Sequence, residues 1–355
     1  MICAARPHLH ARDVRYAARY CFVRALTPIA SFSHGPGDRH TYELAHAAKS
    51  HGGAAQIYGP SKRDSASVAA WIAAMKDMRS KCAAAIGYDG GNADPTLKWT
   101  QTAYIGPQSH PYDRFFYNES LGNGTNGAGY TVDKWVADLN KRYGGIDQVL
   151  IWPTYTNIGI DDRNTFDLIR SMPGGAAGIK VVVAQLHAKG IKVLWPYHPW
   201  DHSTRGQQRN NETDFLAMAH LLQDTGSDGF NGDTMSHIPR AFLEASESIG
   251  YKGIATQSEG GLPEYDLVYS TIGWGEGWLR DEVYVDKPKW LSSGKAVTQW
   301  CDRWSGNQKA TALEGKIPEL QINWFNGLGY ETWESASRVV LVTRRTRACT
   351  APLAL

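Results

Sequence analysis

The feature that most constrains this chain is the alternation of short apolar runs with helix-length amphipathic segments. Residues 147–152 are a buried-strand run. Residues 179–189 repeat apolar positions at helical spacing (Val182, Val183, Leu186) and stop at Gly190. Residues 191–195 are the next strand run. A helical segment at 215–222 precedes the run from Asp228 to Asp233, and 239–249 separates that run from 253–258. Upstream, 64–81 places Val68, Ala69, Trp71, Ile72, Met75 and Met78 on one helical face. Residues 83–88 and 102–105 are short strand candidates, 118–129 is a polar Gly-rich loop, and 133–143 is a helix stopping at Gly144-Gly145. Downstream, 267–271, 296–300 and 320–324 complete the strand set. Strands separated by helices predict a parallel sheet, because parallel neighbours need crossover connections. About eight such units over roughly 260 residues predict an α/β chain folded as a closed (β/α)8 TIM barrel. No GxGxxG follows a strand, which argues against a dinucleotide fold.

The two ends differ from this middle. Residues 1–40 carry six Arg, no Lys and two Asp, and residues 338–355 carry four Arg, no Lys and no acid. The expected organisation is an N-terminal extension at 1–60, a barrel at 61–337 and a basic tail at 338–355. Net charge is +2, which predicts no polyanion such as nucleic acid as partner. No apolar run reaches transmembrane length, and no apolar run with a small-residue cleavage site marks a signal peptide, so no membrane partner is expected. The five Cys (Cys3, Cys21, Cys82, Cys301, Cys349) form no CxxC pair, against a structural zinc or a dense disulfide framework.

In a barrel, chemistry belongs to the C-terminal strand ends. The strand at 227–233 ends in Asp233, and the next ends at Glu259, 26 residues on. Two carboxyl groups at successive strand ends suit glycosidic bond cleavage, one as nucleophile or base and one as acid. Gly229 and Gly232 leave room for a close approach to the backbone. Other strand ends supply rings and polar groups: Trp152 and Tyr155, Trp195 with Asp201 and His202, His237, Trp274 with Glu276, Trp300 with Asp302, and Asn326. Thirteen Trp and seventeen Tyr in 355 residues favour a ligand with apolar faces on which rings stack, although core packing accounts for several of them. The expectation is a sugar pocket in which these residues shape the walls and bind hydroxyls. His198, His202 and His237 could join Asp201 and Asp233 around a metal, but no HxH or HExxH spacing is present. No metal and no cofactor is expected.

The segment Gly229-Phe230-x-x-Asp233-x-x-x-His237 resembles the fourth-strand motif of the α-amylase superfamily. Residues 190–202 are similar to its third-strand segment, in which a His contacts the sugar. Over residues 185–262 the resemblance implies Asp233 as nucleophile and Glu259 as acid/base. One position departs from the pattern: the superfamily carries Arg two residues before the Asp, where this chain has Asn231. The α-galactosidase-like barrels also use a fourth-strand Asp, without that Arg. The implied function is a glycoside hydrolase, retaining, acting on an α-linked sugar in a glycoside or oligosaccharide. The alternative is a non-catalytic carbohydrate-binding barrel that keeps the aromatic pocket.

Overall fold

The computed structural model describes residues 64–85, 94–155, 158–201, 212–235, 238–259, 270–276, 297–300 and 329–334. The strands are β1 (Ile105–Ser109), β2 (Gln148–Ile151), β3 (Lys192–Tyr197), β4 (Gly229–Gly232), β5 (Ala255–Ser258), β6 (Ile272–Glu276), β7 (Val297–Trp300) and β8 (Gly329–Glu334). The helices are α1 (Ser65–Ala85), α2 (Val132–Tyr143), α3 (Thr165–Arg170), α4 (Gly175–His187), α5 (Asp214–Thr225) and α6 (Ala241–Ser248). Strands β1 to β5 pair in sequence order, all parallel, with α2 to α6 as the crossovers, an α/β half-barrel. Pairings β5–β6, β6–β7, β7–β8 and β8–β1 continue the parallel order. No described helix is long and apolar enough to cross a membrane.

Local sequence explains the helix limits. Helix α2 ends where Gly144 takes a left-handed φ of 88°, a conformation Gly adopts without a Cβ penalty. Helix α3 opens with a capping box: Asn164 accepts from the Asp167 N–H and the Asp167 carboxylate accepts from the Asn164 N–H. Thr213 caps α5, and Gly226 closes it at φ 71°.

Strand alternation sorts two apolar clusters. Val149, Ile151, Val193, Trp195, Tyr197 and Phe230 face outward and pack with α2, α4 and α5 residues such as Leu139, Val182, Leu186 and Leu221. Leu150, Trp152, Leu194, Ala255 and Ile272 face inward, with Leu97 and Ala103 of the preceding segment. The bore also holds polar groups. Gln148 and Gln257 each donate to Glu331 Oε1, at 3.1 and 2.9 Å, and Asn231 donates to Gln257 Oε1 at 3.0 Å. Glycine makes space where backbones converge: a Cβ on Gly229 would lie 2.0 Å from the Ala255 carbonyl oxygen.

Several elements differ from the sequence expectation. The strand expected at 83–88 begins inside α1, which continues to Ala85, because the Ala-rich stretch extends the helix. The first strand lies at Ile105–Ser109 rather than 102–105. Thr102 instead terminates a 3-10 turn (Pro95–Gln101), and the Asp147 carboxylate receives the Tyr104 and Ile105 N–H groups at 2.9 Å each. The sixth strand begins at Ile272, beyond the expected 267–271. The eighth is Gly329–Glu334, whereas the expected run at 320–324 lies outside the described residues. Strand β8 buries Gly329 and Glu331, so a search for an apolar run passes over it. Helix limits elsewhere shift by a few residues, as frayed ends do. Residues 1–63 and 335–355 lie outside the described set, so the expected extensions do too.

Candidate active site

The site forms where β4 and β5 end side by side. Asn231 is level with Gln257 and Gly232 with Ser258, so Asp233 and Glu259 follow at the next step. The Glu259 N–H donates to Gly232 O at 3.3 Å and the Asp233 N–H to Tyr197 O at 2.9 Å, carrying the ladder just past the strands. The period of two that sends Phe230 outward turns Asn231 and Asp233 to the bore.

Asp233 is 3% exposed. Its Oδ2 lies 2.8 Å from His198 Nδ1 and accepts from Tyr155 Oη at 2.7 Å. Burial pushes the carboxyl pKa up. The hydrogen bonds from His198, Glu259 and Tyr155 counter it, and Asp233 sits below the usual carboxylate range. Glu259, at the neighbouring strand end, is among the groups that lower the Asp233 pKa. Glu259 Oε2 also accepts from the Thr234 N–H. Thr234 has φ 60°, the left-handed region that a β-branched residue rarely occupies. That turn directs its N–H at Glu259, and such strained positions concentrate at functional sites.

His198 is the hub of the cluster. Its Nε2 lies 2.8 Å from Thr154 Oγ1. Trp152 meets it edge-on at 5.1 Å, Tyr155 stacks at 5.4 Å, and Trp200 sits tilted at 5.1 Å on the other side. Tyr155 and Trp200 are 44% and 39% exposed, which leaves two ring surfaces open beside a buried acid. The segment after β1 steadies this wall: His110 Nδ1 is 3.1 Å from Trp152 O, and Tyr112 Oη donates to Pro153 O at 3.1 Å.

Among the expected site residues, Asp233, Glu259, Tyr155 and Trp152 come together, with Trp152 buried as the floor beneath Tyr155. Trp195 requires correction. It faces outward into the helix layer, fully buried, and its Nε1 donates to Ser227 Oγ at 2.6 Å. The alternation that places Leu194 in the bore leaves Trp195 no path to a pocket. Asp201 is buried close by in sequence, with Oδ2 accepting from Thr165 Oγ1 at 2.9 Å and its N–H bonded to His198 O; it anchors the turn after β3 to α3. Trp274 and Glu276 belong to β6 itself rather than to the loop after it, and Trp300 is the last residue of β7. His202, His237, Asp302 and Asn326 lie outside the described residues. Among the described residues no three of His, Cys, Asp and Glu gather as metal ligands.

Sequence reasoning weighed His198 only as a metal ligand or hydroxyl-binding group and not as a partner of Asp233, and it missed Thr154, Trp200 and Thr234. Counting by twos from Leu194 reaches His198, so that signal was present. Nothing in the sequence marks Thr154 or the backbone of Thr234.

No family model matches the chain, and no curated protein does. Among solved structures, a maltogenic α-amylase, AmyB, from Thermotoga neapolitana superposes at 14% identity and a TM-score of 0.42, covering 68% of each chain. A cycloalternan-degrading enzyme from Trueperella pyogenes, in complex with cycloalternan, matches at 13% identity and 0.43, covering 78% of this chain and 47% of that one. A tryptophan synthase from M. tuberculosis matches at 11% and 0.39, covering 73% and 95%. Likenesses this distant span enzymes of unrelated chemistry and carry no weight for the reaction.

Proposed function

We propose that the chain is a (β/α)8 glycoside hydrolase, with residues 61–337 as its barrel and Asp233 and Glu259 as its acid pair. The observation that supports this is the placement of two carboxyl groups just past successive, paired strand ends, one of them held below the usual carboxylate range beside His198 and Tyr155. A carboxyl held below its usual range suits the anionic role. Asp233, the anion, attacks the anomeric carbon as Glu259 passes its proton to the leaving oxygen. Glu259 then takes a proton from water, the water oxygen attacks the glycosyl ester, and Asp233 is released as carboxylate. This is a retaining reaction, proposed for an α-linked glycoside or oligosaccharide. Tyr155 and Trp200 offer the sugar its stacking surfaces.

The second reading, a carbohydrate-binding barrel without catalysis, is favoured by one observation: Asp233 is almost completely enclosed. A screen of nitrophenyl glycosides with the wild type, Asp233→Asn and Glu259→Gln separates the two. Catalysis predicts a loss of several orders of magnitude in turnover for Asp233→Asn with little change in affinity. Glu259→Gln should retain its first step on activated leaving groups and recover turnover with azide. Sugar binding without cleavage of any glycoside would favour the binding reading.

A further inference from the structure

The imidazole of His198 stands between two side chains of unequal demand. Asp233 Oδ2 faces Nδ1 at 2.8 Å and needs a donor, while Thr154 Oγ1 faces Nε2 at 2.8 Å. Thr154 is fully buried, and among the described residues His198 Nε2 is the only hydrogen-bond partner of its hydroxyl. The count of donors and acceptors then selects one arrangement. If Nε2 carried a proton, the Thr154 oxygen would accept it, and the hydroxyl hydrogen would be buried with nothing to receive it. If Nε2 is bare, the hydroxyl donates to it, Nδ1–H donates to Asp233, and every group is satisfied.

We infer that Thr154 is a positioning residue that locks His198 as the singly protonated Nδ1–H tautomer, aimed at Asp233. The inference goes beyond the glycosidase reading in assigning a role to a residue that no substrate touches, and its catalytic consequence rests on that reading. A neutral imidazole supplies a hydrogen bond without cancelling the charge of Asp233. Among the described residues, the groups beside the ring are otherwise Tyr155 after β2, Asp233 after β4, and Trp152 and Trp200 as ring neighbours, with Glu259, after β5, acting on Asp233. Asp201 donates its N–H to the His198 backbone carbonyl. A net negative site is what a cationic, oxocarbenium-like transition state requires. A doubly protonated His198 would pair with Asp233 and remove that charge.

The test is the nitrogen spectrum of the His198 imidazole in the 15N-labelled protein at neutral pH, assigned by its disappearance in His198→Gln. The expected wild-type pattern is one protonated nitrogen, Nδ1, and one unprotonated nitrogen, Nε2. Thr154→Ser keeps the hydroxyl and should keep the pattern, with kcat within twofold of wild type. Thr154→Val removes the donor that keeps Nε2 bare and should admit a proton there beside the one on Nδ1, and kcat should fall about tenfold with KM changed less. Two protonated nitrogens in the wild type, wild-type protonation at Nε2, or an unaltered pattern in Thr154→Val would each overturn the inference. Should Thr154→Val not fold, the wild-type and Thr154→Ser spectra decide it. Because the spectrum needs no substrate, a protein that cleaves nothing yet shows the Nδ1–H pattern retains the tautomer lock and loses only the glycosidase reading.

Discussion

The phenol of Tyr155 donates a 2.7 Å hydrogen bond to Asp233 Oδ2, across 78 residues of sequence. One residue thus joins an open ring face to a buried carboxylate, and the two contributions are separable.

Tyr155→Phe keeps the ring and removes the donor. A hydrogen bond to a charged group contributes about 1.5–3 kcal/mol, so kcat should fall roughly 10- to 100-fold with KM changed little. The Tyr155 bond is one of the forces holding the Asp233 pKa down, so its loss raises that pKa. The acid limb of the pH–rate profile, which needs ionised Asp233, should move to higher pH. An unchanged limb would assign Tyr155 to stacking alone.

Trp195 makes the opposite prediction. Trp195→Phe removes the indole N–H bonded to Ser227 and part of the outer core. Stability should drop by about 1–3 kcal/mol, read as a lower denaturant midpoint. kcat/KM measured well below the melting temperature should be unchanged.

At the opposite end of the strands, Asp228 accepts from His187 at 2.6 Å, Lys192 at 2.8 Å and the Val193 N–H at 2.9 Å. Burial pushes its pKa up, but these hydrogen bonds and the His187 charge bring it below 3.8. A lowered folded pKa means stability present above the unfolded value and lost as pH falls through the folded one. Asp228→Asn should therefore cost on the order of 2 kcal/mol near neutral pH, discounted for the partly exposed partners. The difference from wild type should shrink below pH 3.8. Asp147 has the reverse sign. Burial raises its pKa against the Ile105 and Tyr104 N–H bonds, so its ionisation opposes folding above the unfolded value and this cost is relieved in acid. Chemical denaturation of both Asn variants from pH 2.5 to 7 checks the two signs.

How much of this was legible in sequence follows from the physics of each element. The strands β2 and β3 announce themselves because their outward residues are apolar and their flanking helices are periodic. Strand β8 does not, since a bore lined by Gly329 and Glu331 has no apolar signature. Asp233 and Glu259 were singled out because strand ends concentrate chemistry, and the structure sets them just past the paired ends of β4 and β5. Trp195 was misassigned because an aromatic beside a strand end looks the same whichever face it takes, and only the count from Leu194 distinguishes them. The positive φ of Thr234 is set by the chain around it and leaves no trace in residue type.

The crowding at Gly229 has a mechanical consequence. With the Ala255 carbonyl where a side chain would begin, the spacing of β4 and β5 at their lower end is fixed by a missing methyl group. The two strands act as the arms of a pair of tongs whose tips carry Asp233 and Glu259. Even the smallest addition at Gly229 would pry the arms apart at the pivot and reset the gap at the tips, four residues away along each arm. The spacing of the two acids is set four residues away, at a position with no side chain of its own.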